Sequence, residues 1–274
     1  MSDEFLTRSE YKRQQRQKQE QEIAPQPQKK PKKKGKLRFL RRLIAFLVTV
    51  AIIVGVIGGG VFAYYASSAP PLDEAKVKEE VHKGDNQIYV TADEIPSRVR
   101  NAFVAIEDAR FYDHHGVDFI RFGGALLANV KGGFGAQGGS TITQQLVKNT
   151  LLSPEKTPRR KAQEMWLAIQ MERHFSKQQI LEMYVNSIYY PGNIYGVATA
   201  AEKYYGKSLD DLKIHEAAML AGMQQNPNGY DPREHPQAAK NRRDQVLDAM
   251  AAHGYITADE AEQSKSIPVQ ATLQ

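Results

Sequence analysis

Cysteine is absent from all 274 residues, so neither a disulfide scaffold nor a thiolate zinc site can be built. Strand signals are nearly absent too; only Gln87–Thr91 alternates enough for one strand. No repeat of 20–50 residues occurs, which excludes solenoids and propellers. Neither Ser-x-Asn nor Lys-Thr-Gly is present. The two Ser-x-x-Lys matches, Ser9–Lys12 and Ser153–Lys156, are therefore coincidental, and no serine acyl-transfer site of that class is encoded. Gly133–Gly138, GFGAQG, fits G-x-G-x-x-G, but a helical pattern precedes it and no Walker lysine follows, so no dinucleotide or P-loop site is implied. Beyond the N-terminus an excess of positive charge is missing as well. Residues 1–42 hold 14 Lys/Arg against 5 Asp/Glu, and the rest of the chain holds 23 against 26. A folded nucleic-acid binder would carry its positive charge in the globular part, so no nucleic-acid partner is expected.

What is present divides the chain. Residues 1–42 are Gln-, Lys- and Pro-rich, with Lys29–Lys36 the densest basic run, and read as a disordered cytoplasmic tail. Arg38, Arg41 and Arg42 lead into the uncharged stretch Leu43–Tyr64, which as a helix spans roughly 33 Å, the thickness of a hydrocarbon core. Residues 43–65 read as an uncleaved membrane anchor, because a signal peptide would have a shorter apolar region. The basic flank predicts a cytoplasmic N-terminus and an extracytoplasmic remainder. Residues 66–84 read as a linker, 85–260 as one domain and 261–274 as a fraying tail. Within the domain Val99, Ala102, Phe103 and Ile106 keep helical spacing, and further helices are predicted at 118–130, 141–151, 159–175, 177–189, 194–204, 214–224 and 236–253. The folded part is thus mainly α.

The stretch that organises the domain is GGSTITQQLVKN, Gly138–Asn149. Ser140 or Thr141 offers a hydroxyl cap, and Thr141 with Gln144 has capping-box spacing, which starts the helix there. Thr141, Gln144, Gln145 and Lys148 then share one face, while Ile142, Leu146 and Val147 turn inward. A helix start with free N–H groups beside hydroxyls, amides and a lysine suits an anionic, oxygen-rich ligand. An ordinary amphipathic helix would show the same pattern.

Two carboxylates stand out. Glu107, in EDARFYDHHG (Glu107–Gly116), follows an apolar helix and precedes a loop, where burial raises a carboxyl toward general-base use. The plainer role is an ion pair with Arg110. His114 and His115 are adjacent in a loop and lack a helical partner, so a zinc site is not expected. Glu164, in RRKAQE (Arg159–Glu164), has Arg160 and Lys161 one turn before it. That is either a surface ion pair or a phosphate-binding patch in which Glu164 positions the cations or holds a divalent metal. Ala162, Met165, Trp166 and Ile169 read as the buried stripe of this helix.

Five blocks in order resemble the peptidoglycan glycosyltransferase family, shared by class A penicillin-binding proteins and monofunctional transglycosylases. They are the three just quoted, KQQILEMYVNSIYYPGNIYGVATAAEKYYGK (Lys177–Lys207) and HEAAMLAGMQQNPNGYDP (His215–Pro232). The resemblance implies a lysozyme-like fold of two lobes about a groove, and polymerisation of lipid II into glycan strands with release of undecaprenyl pyrophosphate. It implies inversion, with Glu107 as general base. It also implies Glu164 as the second catalytic carboxylate, a possible site of magnesium or another divalent cation, and implies no organic cofactor. Lys148, Arg160 and Lys161 are implied at the leaving group, and Ser140, Thr143, Gln144, Gln145 and Asn186 as substrate-binding residues. The partners implied are lipid II and the growing strand, membrane lipid, and proteins of the elongation or division machinery. A muramidase-like lytic hydrolase and a non-catalytic wall scaffold are the alternatives. Gly124-Ala125 stands where the family shows Arg-Ala, with Arg121 one turn away. Pro191 in the fourth block and Asn226-Pro227-Asn228 in the fifth also depart from the pattern.

Overall fold

The computed structural model describes residues 7–22, 34–84, 86–132 and 139–269; the GFGAQG run lies outside them. The chain divides into two units, Met1–Gly58 and Gly59–Gln274. In the first, α1 (Arg8–Glu22) is helical where disorder was expected, with no buried residue. α2 (Lys34–Ala66) contains Phe39–Ala66, a segment long and apolar enough to cross a membrane. It ends where Ser67 and Ser68 return hydroxyl bonds to the carbonyls of Tyr64 and Tyr65, and Pro70-Pro71 cannot continue a helix.

The second unit is helical: α3 (Glu74–Val81), α4 (Ser97–Glu107), α5 (Phe119–Gly132), α6 (Ile142–Thr150), α7 (Pro158–His174), α8 (Lys177–Ser187), α9 (Val197–Tyr205), α10 (Ile214–Met223), α11 (Pro236–Ala252) and α12 (Ala258–Ser266). The predicted ends agree with these to within three residues. α10 is the central element. Its residues 215–223 are all buried, and it packs against α4 and α11, while α6 packs against α7 and α8. Ala217, Ala218, Ala221 and Gly222 keep it thin enough for close packing, and Gly222 has the stem of Arg242 where a Cβ would stand, at 3.1 Å.

Four expectations are corrected. The linker 66–84 contains α3, whose Val77 and Val81 are buried in the core. The expected tail is crossed by α12, which packs on α11, and the buried Arg243 donates to the carbonyls of Lys265 and Ile267. Gln87–Thr91 is not a strand. Val90 finds its partner in the side chain of Asn186 instead: Val90 N–H donates to Oδ1 (3.1 Å), and Nδ2 donates to Val90 O (2.7 Å) and Glu182 O (2.8 Å). The strand pair lies at Tyr189–Tyr190 (β1) and Ile194–Tyr195 (β2), where a helix end and a helix start were predicted. Gly192, Asn193 and Gly196 all have positive φ, which breaks the helical run and delays α9 to Val197.

Because Asn186 is fully buried and satisfies both polar groups of Val90, Asn186→Ala should cost roughly 3 kcal/mol through two orphaned backbone groups. Chemical denaturation would measure this, with the rate per folded molecule unchanged.

Candidate active site

The site forms where α4 ends. Glu107 is the last residue of that helix, and the next residue, Asp108, turns its side chain back into the protein. The fully buried Asp108 Oδ2 accepts from Ile142 N–H (3.0 Å), the first amide of α6, and from His114 Nε2 (2.9 Å). Thr141 caps the same helix, accepting from Gln144 N–H (3.1 Å) while its hydroxyl donates to Gly116 O (2.6 Å). Gly116 has φ +90, and a Cβ there would lie 2.5 Å from the carbonyl oxygen of Ala168 on α7. The loop Asp108–Gly116 is thereby clamped between α6 and α7. The amides that a bound anion would have used are taken by Asp108 and Thr141, so the start of α6 is an internal joint and not a ligand site.

The same joint sets Gln145 beside Glu107. Gln145 Nε2 donates to Glu107 Oε2 (2.8 Å), and its Oε1 accepts from Gln224 Nε2 (2.6 Å) and Tyr184 Oη (3.4 Å), which fixes the amide's orientation. Burial foremost, and then the Glu107 charge, push the Tyr184 phenol well above its ordinary pKa, so it stays a donor. Glu107 Oε1 is buried and accepts no hydrogen bond; Arg242 Nη2 stands 3.6 Å away. The expected pair with Arg110 does not form, because Arg110 binds Asp118. Arg121 donates to the carbonyl of Glu107, which puts a basic side chain at this turn despite the missing family arginine.

Opposite Glu107, a cavity of about 250 Å³ is closed by Ser140, Lys148, Glu164, Gln224 and Gln225. Glu164 is 1 % exposed, so it is no surface ion pair. It accepts from Arg160 Nη1 (3.0 Å), Gln144 Nε2 (3.2 Å) and Lys161 Nζ, and Lys161 also donates to Ser140 Oγ (2.9 Å). Three donors, two of them cations, take three of the roughly four lone-pair sites of this carboxylate, and no cluster of three or more ligating side chains stands among the described residues, so the metal expected at Glu164 does not fit these residues. Lys148 is exposed at its end of the wall, yet its ammonium pKa is lowered. Lost solvation is the main cause, and Arg160 and Lys161 add to it against the pull of Glu164 and Glu107.

Of the residues expected to bind substrate, Ser140, Gln145 and Lys148 line this cavity, with Arg160 and Lys161 held at it by Glu164. Gln144 stands behind it, holding Glu164. Thr143 is buried elsewhere, donating to Glu172 (2.6 Å), and Asn186 serves Val90; neither lines it. Trp166 is 37 % exposed, not core, because the buried stripe of α7 runs through Leu167, Ala168 and Met171. Gln224, Gln225 and Arg242 are additions. The two glutamines end the apolar run of α10, a weak signal in retrospect, and nothing in the sequence near Arg242 pointed to Glu107.

The family model described as Transglycosylase matches residues 73–251. The chain belongs to the transglycosylase family. Penicillin-binding protein 1A/1B of Bacillus subtilis (strain 168) is 47% identical over 241 residues, covering 82% of this chain and 26% of that protein. Penicillin-binding protein 1A of Streptococcus oralis is 45% identical over 243 residues, covering 82% and 38%. That of Streptococcus pneumoniae (strain ATCC BAA-255 / R6) is 43% identical over 255 residues, covering 87% and 35%. The chain thus spans well under half the length of these relatives. A crystal structure of penicillin-binding protein 1A from Haemophilus influenzae, 23% identical, covers 67% of this chain and 18% of its own with a TM-score of 0.40, too low to add to the assignment. The transglycosylase region makes this a peptidoglycan glycosyltransferase domain.

In this transglycosylase Asp108 holds two buried donors. Asp108→Ala should therefore lower stability by roughly 2–4 kcal/mol and fray the first turn of α6, read as faster amide exchange at Ile142.

Proposed function

We propose that the domain polymerises lipid II, joining disaccharide-peptide units with inversion and releasing undecaprenyl pyrophosphate. One observation carries this: a single small cavity is lined by the carboxylate Glu107, by Lys148 and by Glu164, on which the cations Arg160 and Lys161 are gathered. The Glu107 carboxylate takes the proton of the acceptor's 4-hydroxyl as that hydroxyl oxygen attacks the donor's anomeric carbon. The bond to pyrophosphate breaks on the opposite face, and Lys148, Arg160 and Lys161 stabilise the charge that leaves. Gln145 on Oε2 and Arg242 beside Oε1 fix the orientation of the base. Glu164 acts as a counter-ion that fixes Arg160 and Lys161 in place. A hydrolase would have no pyrophosphate for these cations to hold, which favours synthesis. α2 anchors the domain, with the basic flank Lys29–Arg42 in the cytoplasm and the domain outside.

Incubating the detergent-solubilised protein with lipid II and separating the products by gel tests the reading. Glu107→Gln keeps the shape and loses the base, so polymerisation should fall ~10²–10⁴-fold with lipid II binding retained. Near-normal elongation by a folded Glu107→Gln protein would remove Glu107 from the reaction.

The lowered pKa of Lys148 has a definite sign. Its charge is lost at lower pH than that of a free lysine, so the alkaline limb of the rate profile should begin below the ordinary lysine range. Lys148→Arg, charged throughout, should move that limb upward; an unmoved limb would assign it to another group.

A further inference from the structure

α7 is used on two faces. One presents Arg160, Lys161 and Glu164 to the active-site cavity. The other carries Trp166, Gln170 and His174 at four-residue spacing, and it forms one wall of a larger groove of about 670 Å³. The opposite wall is the last turns of α2, through Phe62, Ala63 and Ala66, with the segment Pro70–Leu72. No residue lines both cavities. The two walls are pinned to each other. Gln163 Nε2 donates to Ser68 O (2.9 Å) and Ser68 Oγ (3.1 Å), Arg159 Nε donates to Ser68 Oγ (3.3 Å), and His174 Nδ1 meets Glu74 at 3.1 Å. Ala69 and Leu72 pack onto the core between these ties. The groove is therefore a built feature of the Gly59–Gln274 unit, mostly apolar, with Ser67, Gln170 and His174 supplying polar atoms.

We propose that this groove holds an acyl chain of a bilayer phospholipid. The inference rests on the reading of α2 as a membrane anchor. Phe62, Ala63 and Ala66 of the wall opposite α7 belong to the apolar segment Phe39–Ala66 itself, so a hydrocarbon chain lying along that segment reaches the groove without crossing water. Trp166, apolar in its ring and polar at its indole N–H, suits such a boundary, as do Gln170 and His174 beside it. The phosphates of the reaction's own lipid substrate are assigned to the other face of α7, which leaves this groove to a lipid of the surrounding membrane. A volume of this size is within the range of small-molecule sites.

Trp166 is the only tryptophan in the chain, so all indole emission reports on the groove. The full chain would be reconstituted in phosphatidylglycerol vesicles with plain or dibrominated acyl chains, and flotation would score membrane insertion. The expected result is loss of most Trp166 emission in the brominated vesicles. Ala63→Phe, a substitution at an exposed helix position that fills the groove, should restore most of that emission with lipid II polymerisation unchanged. Equal quenching of wild type and Ala63→Phe would mean that the indole only touches the bilayer surface, and would overturn the proposal. So would recovery of wild-type emission on adding a small mole fraction of polyprenyl phosphate, which would assign the groove to an isoprenoid chain. Protein that floats yet is not quenched defeats the groove alone; protein that fails to float defeats the anchor and the groove together.

Discussion

The geometry of this domain depends on one buried carboxylate. Asp108 ends α4 and caps α6 at Ile142, so a single side chain joins the helix that carries Glu107 to the helix that carries Gln145. A buried carboxylate is costly unless partners meet it; here the amide of Ile142 and the ring of His114 meet Oδ2, while Oδ1 accepts no hydrogen bond and has Arg121 3.9 Å away. The packing of Gly116 against the backbone of α7 then carries the same constraint across to the helix of Glu164. Three helices, α4, α6 and α7, are thereby referenced to one loop, and Glu107 inherits its position from that loop.

The electrostatics of the cavity follow from an unequal distribution of partners. Glu164 is held by three donors, two of them cations, whereas Glu107 has one oxygen held by an amide and one that accepts no hydrogen bond and lies 3.6 Å from Arg242. This difference supports the roles proposed above, with Glu164 fixing cations and Glu107 accepting a proton. Burial makes each arrangement stricter, since the cost of an unpaired charge rises as water is excluded. It also lowers the pKa of the Lys148 ammonium below the ordinary lysine range.

α7 shows how one helix serves two environments. Its 3.6-residue period separates a polar face at the cavity from the face of Trp166, and between them Leu167, Ala168 and Met171 attach the helix to the core. The ties from Arg159 and Gln163 to Ser68 bring the end of α2 onto that second face. The end of α2 and the cavity lined by Glu107 thus lie against different faces of α7.

Local physics made much of this legible in the sequence. Helical periodicity, the Thr141/Gln144 capping box and the uncharged run after Arg42 depend on neighbours a few residues away, and they located the helices, the start of α6 and the membrane-length segment. The five blocks likewise contained Glu107, Gln145, Lys148, Arg160, Lys161 and Glu164. What the tertiary structure alone decided was which partner each polar group takes. Gln145 meets Glu107, but Thr143, two residues before it, meets Glu172. Asn186 replaces a strand for Val90, Trp166 leaves the core, and Arg242 approaches Glu107 from the other end of the domain. Each of these choices is made by segments that are distant in sequence and adjacent only after packing, so periodicity and spacing carry no record of them.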